Sequence, residues 1–322
     1  MARWHGYIFS FCLTWAVMAR LIFSMLAIAL ILLPDFSLIL LGLLLRHRFA
    51  YPAEFWGHLE RLVYYLMFPA LLFRAVSRTE LDIAPALDMF IAGFGFSVVG
   101  IVLGVLGRWL LKPDGRVFAS CVQTGFRFNT YIGLAVVDRL SGHAGIASFA
   151  VLIGVMVPWV NAVSVWFLAR QGGASVWREL AKNPLIVATV SGFVVSLLGM
   201  PLPGEVNHVL DLLAAAALPL GLLSVGAGLR AEGLRASLPL VNYFTFVKLV
   251  ALPAAAWGLA LLLGLKGLYF QSVLVLAALP TASSAYILAV RMGGDGRTVA
   301  TIITVNVFVA MVTLPLWLGL AL

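Results

Sequence analysis

Two cations stand far from either end of the apolar stretches that hold them: Arg127 in "TGFRFNTYIGLA" and Lys248 in "VKLVALP". Asp35, in "PDFSLILLG", is the third ionisable group so placed. A cation at the centre of a membrane helix costs roughly 2.5 to 3.5 kcal/mol on insertion scales, so Arg127 and Lys248 together require about 5 to 7 kcal/mol of compensation. Asp35 neutralises one of them at most. If the three converge, one positive charge is left for an anionic ligand. The competing reading is structural, an Asp35 to Arg127 pair with Lys248 stretched toward water along its alkyl stem.

Polar groups and helix breakers gather near these charges. Gly125, Asn129 and Gly133 surround Arg127 at four-residue steps, and "AALPTASSAY" supplies Pro280, Thr281, Ser283 and Ser284. Proline removes a backbone donor and its ring clashes with the carbonyl one turn back, which predicts a kinked or unwound helix at Pro280. The freed N–H and C=O groups would cost several kcal/mol each in lipid, so they must be buried in protein or line a hydrated cavity. If residues 127–131 stay helical, Arg127, Thr130 and Tyr131 share a face while Asn129 points elsewhere; an unwound segment lifts that restriction. Asn161 and Asn306 read first as helix-to-helix hydrogen bonds. Asp35, which could carry a proton, and Asn306 are the candidates for ion coupling, and the choice between protons and sodium stays open.

The elements that must hold these groups are membrane helices. Of 322 residues 63% are hydrophobic and 11% charged, more apolar surface than a soluble core of this length could hide. Apolar stretches of about 20 residues recur almost end to end, the length that crosses a bilayer as helix. Ten spans are predicted, near 23–45, 59–78, 84–110, 117–138, 145–168, 184–200, 206–229, 237–264, 268–290 and 298–320. Loops after odd-numbered spans carry most of the Lys and Arg, which by the positive-inside rule puts both termini on the periplasmic side. Residues 1–24 resemble a signal-like extension, with Met18 and Met25 as alternative starts.

The second half repeats the first. Pro34 and Gly42 match Pro184 and Gly192, Pro69 matches Pro219, and "RFNTYIGLAV" matches "TASSAYILAV", all at a shift near 150 residues. Five spans per copy invert the second copy, so the expected organisation is a first repeat over 25–168, a cytoplasmic connector over 169–183 and a second repeat over 184–322. Such inverted repeats place a transport site near midplane, where broken helices meet. The fold expectation is therefore an all-α integral membrane protein of two inverted five-helix repeats.

Other chemistries lack their residues. The net charge of +8 is scattered singly rather than run together with aromatics, which argues against nucleic acid. The five histidines and two cysteines form no metal-ligand spacing, and no phosphate loop or paired carboxylate is present, so neither an enzyme, a metal nor a cofactor is expected.

The segments "LVYYLMFPALLFRAV", "FRFNTYIGLAV", "VKLVALP", "ALPTASSAYILAVRMGGD" and "VTLPLWLGL" resemble the bacterial branch of the auxin efflux carrier family, whose members include malonate and malate transporters. The similarity runs from about residue 25 to the end. It implies broken, crossing spans 4 and 9, with crossovers at Asn129 to Gly133 and at Pro280 to Ser284. It also implies a scaffold of spans 1, 2, 6 and 7, an elevator-type alternation of the remainder, and a homodimer through the scaffold helices. Relatives often carry a proline just past Leu134, where this chain has Ala135. The combined expectation is a secondary active transporter, a symporter in the bacterial inner membrane, with membrane lipid around it. It would bind a mono- or dicarboxylate through Arg127, Asn129, Thr130, Tyr131, Lys248, Pro280, Thr281, Ser283 and Ser284. An anion channel and a membrane sensor of a carboxylate are the alternatives.

Overall fold

The computed structural model describes residues 2–78, 83–169, 184–230 and 234–321. Apart from Ala169, the expected connector over 169–183 lies outside the described residues. Among those described there are helices and turns and no strand. Helix α1 (Ala2–Arg48) is continuous through the expected N-terminal extension. It is followed by α2 (Ala53–Leu62), a π-helical turn Val63–Met67, α3 (Phe68–Ser77) and α4 (Ile83–Leu111). Next come α5 (Gly115–Cys121), a 3-10 turn Val122–Gly125 and α6 (Thr130–Ala169). The second half holds α7 (Pro184–Leu198), α8 (Gly204–Ala227), α9 (Leu234–Phe246), a π-helical turn Val247–Ala251 and α10 (Leu252–Leu262). It closes with α11 (Gly267–Ala278), α12 (Ser284–Arg291) and α13 (Gly296–Ala321).

Both π-helical turns lie just before a proline, Pro69 in α3 and Pro253 in α10. A wider turn gives the proline ring room against the preceding carbonyls, so the helix continues where an ordinary α-turn would clash.

Six described stretches are long and apolar enough to cross a membrane: Met25–Arg48, Ala86–Leu111, Gly115–Leu168, Gly204–Ala227, Ser237–Leu262 and Gly296–Ala321. Val187–Leu198 and Gly267–Ala278 are shorter apolar helices. The third stretch, 54 residues, would reach about 80 Å if straight. It is not straight, because Gly142 adopts φ +56° and ψ −145° inside α6. That left-handed turn reverses the chain. Gly133 and Phe149, about 24 Å apart along a straight helix, lie so close that a β-carbon on Gly133 would strike the Phe149 ring. Large apolar side chains such as Trp109, Leu197 and Leu262 face outward, the surface a hydrocarbon solvent demands.

Helix α1 packs along α8, and α3 packs against α7 and α8. Close approach of α1 and α8 depends on two glycines: a β-carbon on Gly42 would collide with the Leu223 carbonyl, and one on Gly226 with the Ile39 carbonyl. Arg74 is buried in α3 and donates through Nε and Nη2 to both carboxylate oxygens of Asp211 in α8, each at 2.6 Å. The remaining helices form a second group, with α11 against α6 and α4, α10 against α4, and α9 and α12 against α13. Helix α13 also touches α1.

Candidate functional site

The two helix interruptions foreseen around Asn129 and Pro280 meet inside the protein. After the 3-10 turn, Phe126 leaves helical geometry at φ −132° and ψ −15°, and helix resumes only at Thr130. Asn129 caps the new helix: its Oδ1 accepts from the N–H groups of Tyr131 at 3.0 Å and Ile132 at 3.3 Å. An Asn at this position satisfies donors that the first helical turn cannot pair internally. The second interruption begins at Leu279, extended at φ −63° and ψ 147°, and ends where α12 starts at Ser284.

Each gap pairs with the other. The Asn129 N–H donates to the Pro280 carbonyl at 2.9 Å, and the Thr281 hydroxyl donates to the Thr124 carbonyl at 2.7 Å. Asn306 Nδ2 donates to Thr281 Oγ1 at 2.9 Å, and Gln123 Nε2 donates to the carbonyls of Ser120 and Ala285 at 3.1 and 3.2 Å. Freed backbone groups are thereby satisfied by protein, the condition for breaking a helix away from water.

A cavity of about 410 Å³ opens beside this junction. Arg127, Asn129, Thr130, Tyr131, Ser283 and Ser284 line it, together with Glu60 of α2 and Tyr64 of the π-helical turn that follows. Arg127 is buried, with Nη2 donating to Ser284 Oγ at 2.9 Å and Nη1 to Gln123 Oε1 at a long 3.4 Å. Among the described residues no carboxylate lies within ion-pair distance of it. The N-terminal ends of α6 and α12 border the same space, so the positive ends of two helix dipoles add to the guanidinium. Tyr131 is fixed by stacking on Phe68, ring centroids 4.5 Å apart and planes within 8°. The arrangement is suited to a small anion.

The other charges lie elsewhere, so the three do not converge. Asp35 pairs with Arg139, Oδ2 to Nε at 3.3 Å, and not with Arg127; both line a separate crevice of about 470 Å³. Lys248 neither joins the cavity nor reaches water. Fully buried, it donates from Nζ to the Ala277 carbonyl at 2.8 Å, at the end of α11 where the next helical turn is missing. Pro280, Thr281 and Asn306 are buried in the junction behind the cavity. Because residues 127–129 are not helical, Asn129 joins Arg127 and Thr130 at one cavity, as the unwound reading allowed.

Sequence reading missed Glu60, Tyr64 and Gln123. Gln123 sits four residues before Arg127, a spacing that could have marked it as a partner; Glu60 and Tyr64 come from another helix and carry no such signal. Asn161, noted only as a helix-to-helix bond, lines the cavity.

Residues 168–318 match the family described as Membrane transport protein. The chain is 29% identical over 305 residues to a "Putative malonate transporter" of Rhizobium meliloti (strain 1021), covering 88% of this chain and 93% of that one. It is 23% identical over 286 residues to an uncharacterized transporter of Methanothermobacter thermautotrophicus, covering 87% and 94%. With the uncharacterized transporter YfdV of Escherichia coli (strain K12) it shares 24% identity over 307 residues, covering 89% and 95%. With its apolar helices, the chain reads as a membrane protein whose residues 168–318 match the membrane transport protein family and which is similar over most of its length to proteins named as transporters.

Proposed function

We propose that the protein is a secondary active transporter for a small organic anion, a mono- or dicarboxylate of the malonate or malate kind. The observation that carries this reading is Arg127, a buried guanidinium facing a 410 Å³ cavity with no carboxylate partner among the described residues. A carboxylate arriving there would supply the missing counter-charge and accept bidentate, charge-assisted hydrogen bonds. Asn129, Thr130, Tyr131, Ser283 and Ser284 surround it with further polar groups. The name of the Rhizobium meliloti relative supports the substrate class.

The architecture we propose is ten membrane helices in two inverted five-helix repeats, with α1 to α3, α7 and α8 as scaffold. The remaining helices carry the junction past it as an elevator. On this reading Pro280 and Thr281 hold the two breaks together, and Lys248 secures the end of α11 rather than touching substrate. We place it in a bacterial inner membrane; the basic loops support periplasmic termini, and the exposed scaffold faces suit a homodimer. Asp35 is the candidate for proton coupling.

Uptake of radiolabelled malonate and malate into proteoliposomes tests this. We expect saturable uptake that Arg127→Ala abolishes while the variant remains folded in the membrane. Wild-type uptake by Arg127→Ala would sink the assignment, and an unsaturable conductance would indicate a channel.

A further inference from the structure

A second cavity, about 160 Å³, adjoins the first, and Gly57, Glu60, Ser283 and Ile287 line both. Arg46 from the end of α1 and Arg230 from just beyond α8 also line it, as do Trp56 and Ser224. Three of its lining residues carry a buried polar atom with no hydrogen-bond partner among the described residues: Trp56 Nε1, Ser224 Oγ and Ser283 Oγ. Trp56 is 6% exposed and Ser224 9%, so bulk water does not reach these side chains freely. An indole N–H can only donate, and an orphaned buried donor is unfavourable, so an acceptor that enters the cavity and shifts the ring slightly would relieve it.

The charges specify that acceptor. Neither Arg46 nor Arg230 has a carboxylate within ion-pair distance among the described residues. Arg230 is held in place: the Thr304 hydroxyl accepts from its backbone N–H at 2.8 Å and donates to its carbonyl at 2.6 Å, and its guanidinium lies 5.4 Å over the Tyr286 ring. Among the described residues its guanidinium donates one hydrogen bond, to the Tyr286 hydroxyl at a long 3.4 Å. Glu60 is the one acidic residue in the lining. Two guanidinium groups against one carboxylate leave a positive surplus beside three unpaired hydrogen-bonding groups.

We propose that this cavity is a second anion subsite, which binds a small carboxylate or comparable oxyanion through Arg46, Arg230, Trp56 and Ser224. Ser283 and Glu60 form its boundary with the Arg127 cavity, so an anion can wait here before passing to the inner site. Only that order of passage rests on the reading of Arg127; the binding itself does not. An anionic lipid headgroup offers the same oxygens as a free carboxylate, and the experiment separates the two sources.

The test counts equivalents of radiolabelled malonate bound at equilibrium by the full chain in phosphatidylcholine nanodiscs. Two equivalents are expected for the wild type. Trp56→Phe/Arg230→Gln keeps an aromatic ring, removes the indole donor and the guanidinium charge, and should weaken one equivalent at least about tenfold. Arg127→Gln should remove the other. If phosphatidylglycerol in the discs displaces the equivalent sensitive to Trp56→Phe/Arg230→Gln, the headgroup is the occupant and the anion subsite stands. Binding that is unaltered in the folded Trp56→Phe/Arg230→Gln variant, or absent from the wild type, overturns the proposal. Retention of both equivalents by Arg127→Gln would remove the inner-site assignment and leave this one standing.

Discussion

The Asn129 N–H donates to the Pro280 carbonyl at 2.9 Å, so a residue of one helix break pairs with a residue of the other across about 150 positions of sequence. The Asn129 side chain meanwhile caps α6. Removing an N-cap oxygen costs about 1 kcal/mol. Asn129→Ala should therefore lower thermal stability by about that amount and reduce anion uptake. Asn129→Asp keeps the capping acceptor and adds a negative charge beside Arg127. We expect it to unfold no earlier than wild type and to lose uptake almost entirely, since the site then carries its own counter-ion. Near-normal anion uptake by Asn129→Asp, measured alongside thermal unfolding, would exclude an anion at this position.

Lys248 tests a different link, from charge to helix geometry. Holding a cation in the membrane interior costs roughly 2.5 to 3.5 kcal/mol, while a charge-assisted hydrogen bond to the Ala277 carbonyl returns about 1.5 to 3 kcal/mol. The two nearly cancel. Lys248→Met should accordingly shift the unfolding temperature little, yet leave the last turn of α11 without its donor and loosen the break that follows. We expect malonate uptake to fall at least about tenfold while malonate still binds, because Arg127 remains in place. Complete loss of binding together with uptake would return Lys248 to the substrate site.

The helices were legible because hydrophobic length and the bilayer impose the same constraint, and the interruptions because Pro280, Gly125 and Asn129 each disfavour helix for a local reason. Arg127 could be singled out by its cost alone. Its partners were harder. Ionisable residues carry no address: from sequence, Arg127 and Lys248 are the partners weighed for Asp35, and only the packing of α1 near the first arm of α6 brings Arg139 to it. Lys248 was the least legible, since its partner is a backbone carbonyl that any residue could provide. Arg74 and Asp211, 137 positions apart, likewise need the fold to bring α3 against α8.

Gly226 and Gly42 make a prediction about packing. At each, a β-carbon would meet backbone of the opposite helix, which cannot rotate away as a side chain can. Overpacking costs typically 1 to 3 kcal/mol, and Gly226→Ala should reach about the upper end because α1 and α8 must separate along their length. Gly258 in α10 has open space around it. Gly258→Ala should leave the protein as stable as wild type or better by about 0.5 to 1 kcal/mol, the gain in helix propensity. Thermal unfolding of both variants in detergent checks the contrast; equal stability would mean that α1 and α8 are not held at this distance.

The Asp35 to Arg139 pair joins α1, in the proposed scaffold, to the first arm of α6, in the proposed moving part. Arg139 is 46% exposed at its side chain, so screening leaves the pair worth about 1 kcal/mol or less. That is too little to hold the fold together, but enough to bias two conformations a few-fold. Asp35→Asn and Arg139→Gln should each alter the maximal uptake rate by about that factor while leaving the half-saturating malonate concentration near its wild-type value. The double variant should resemble either single one, because the same contact is lost in all three. A proton-carrying role makes a different demand: Asp35→Asn would abolish the dependence of uptake on a pH gradient, whereas Arg139→Gln would not. Comparing the two variants with and without an imposed gradient therefore separates a latch from a coupling site, and equal gradient dependence in both would assign Asp35 to the latch.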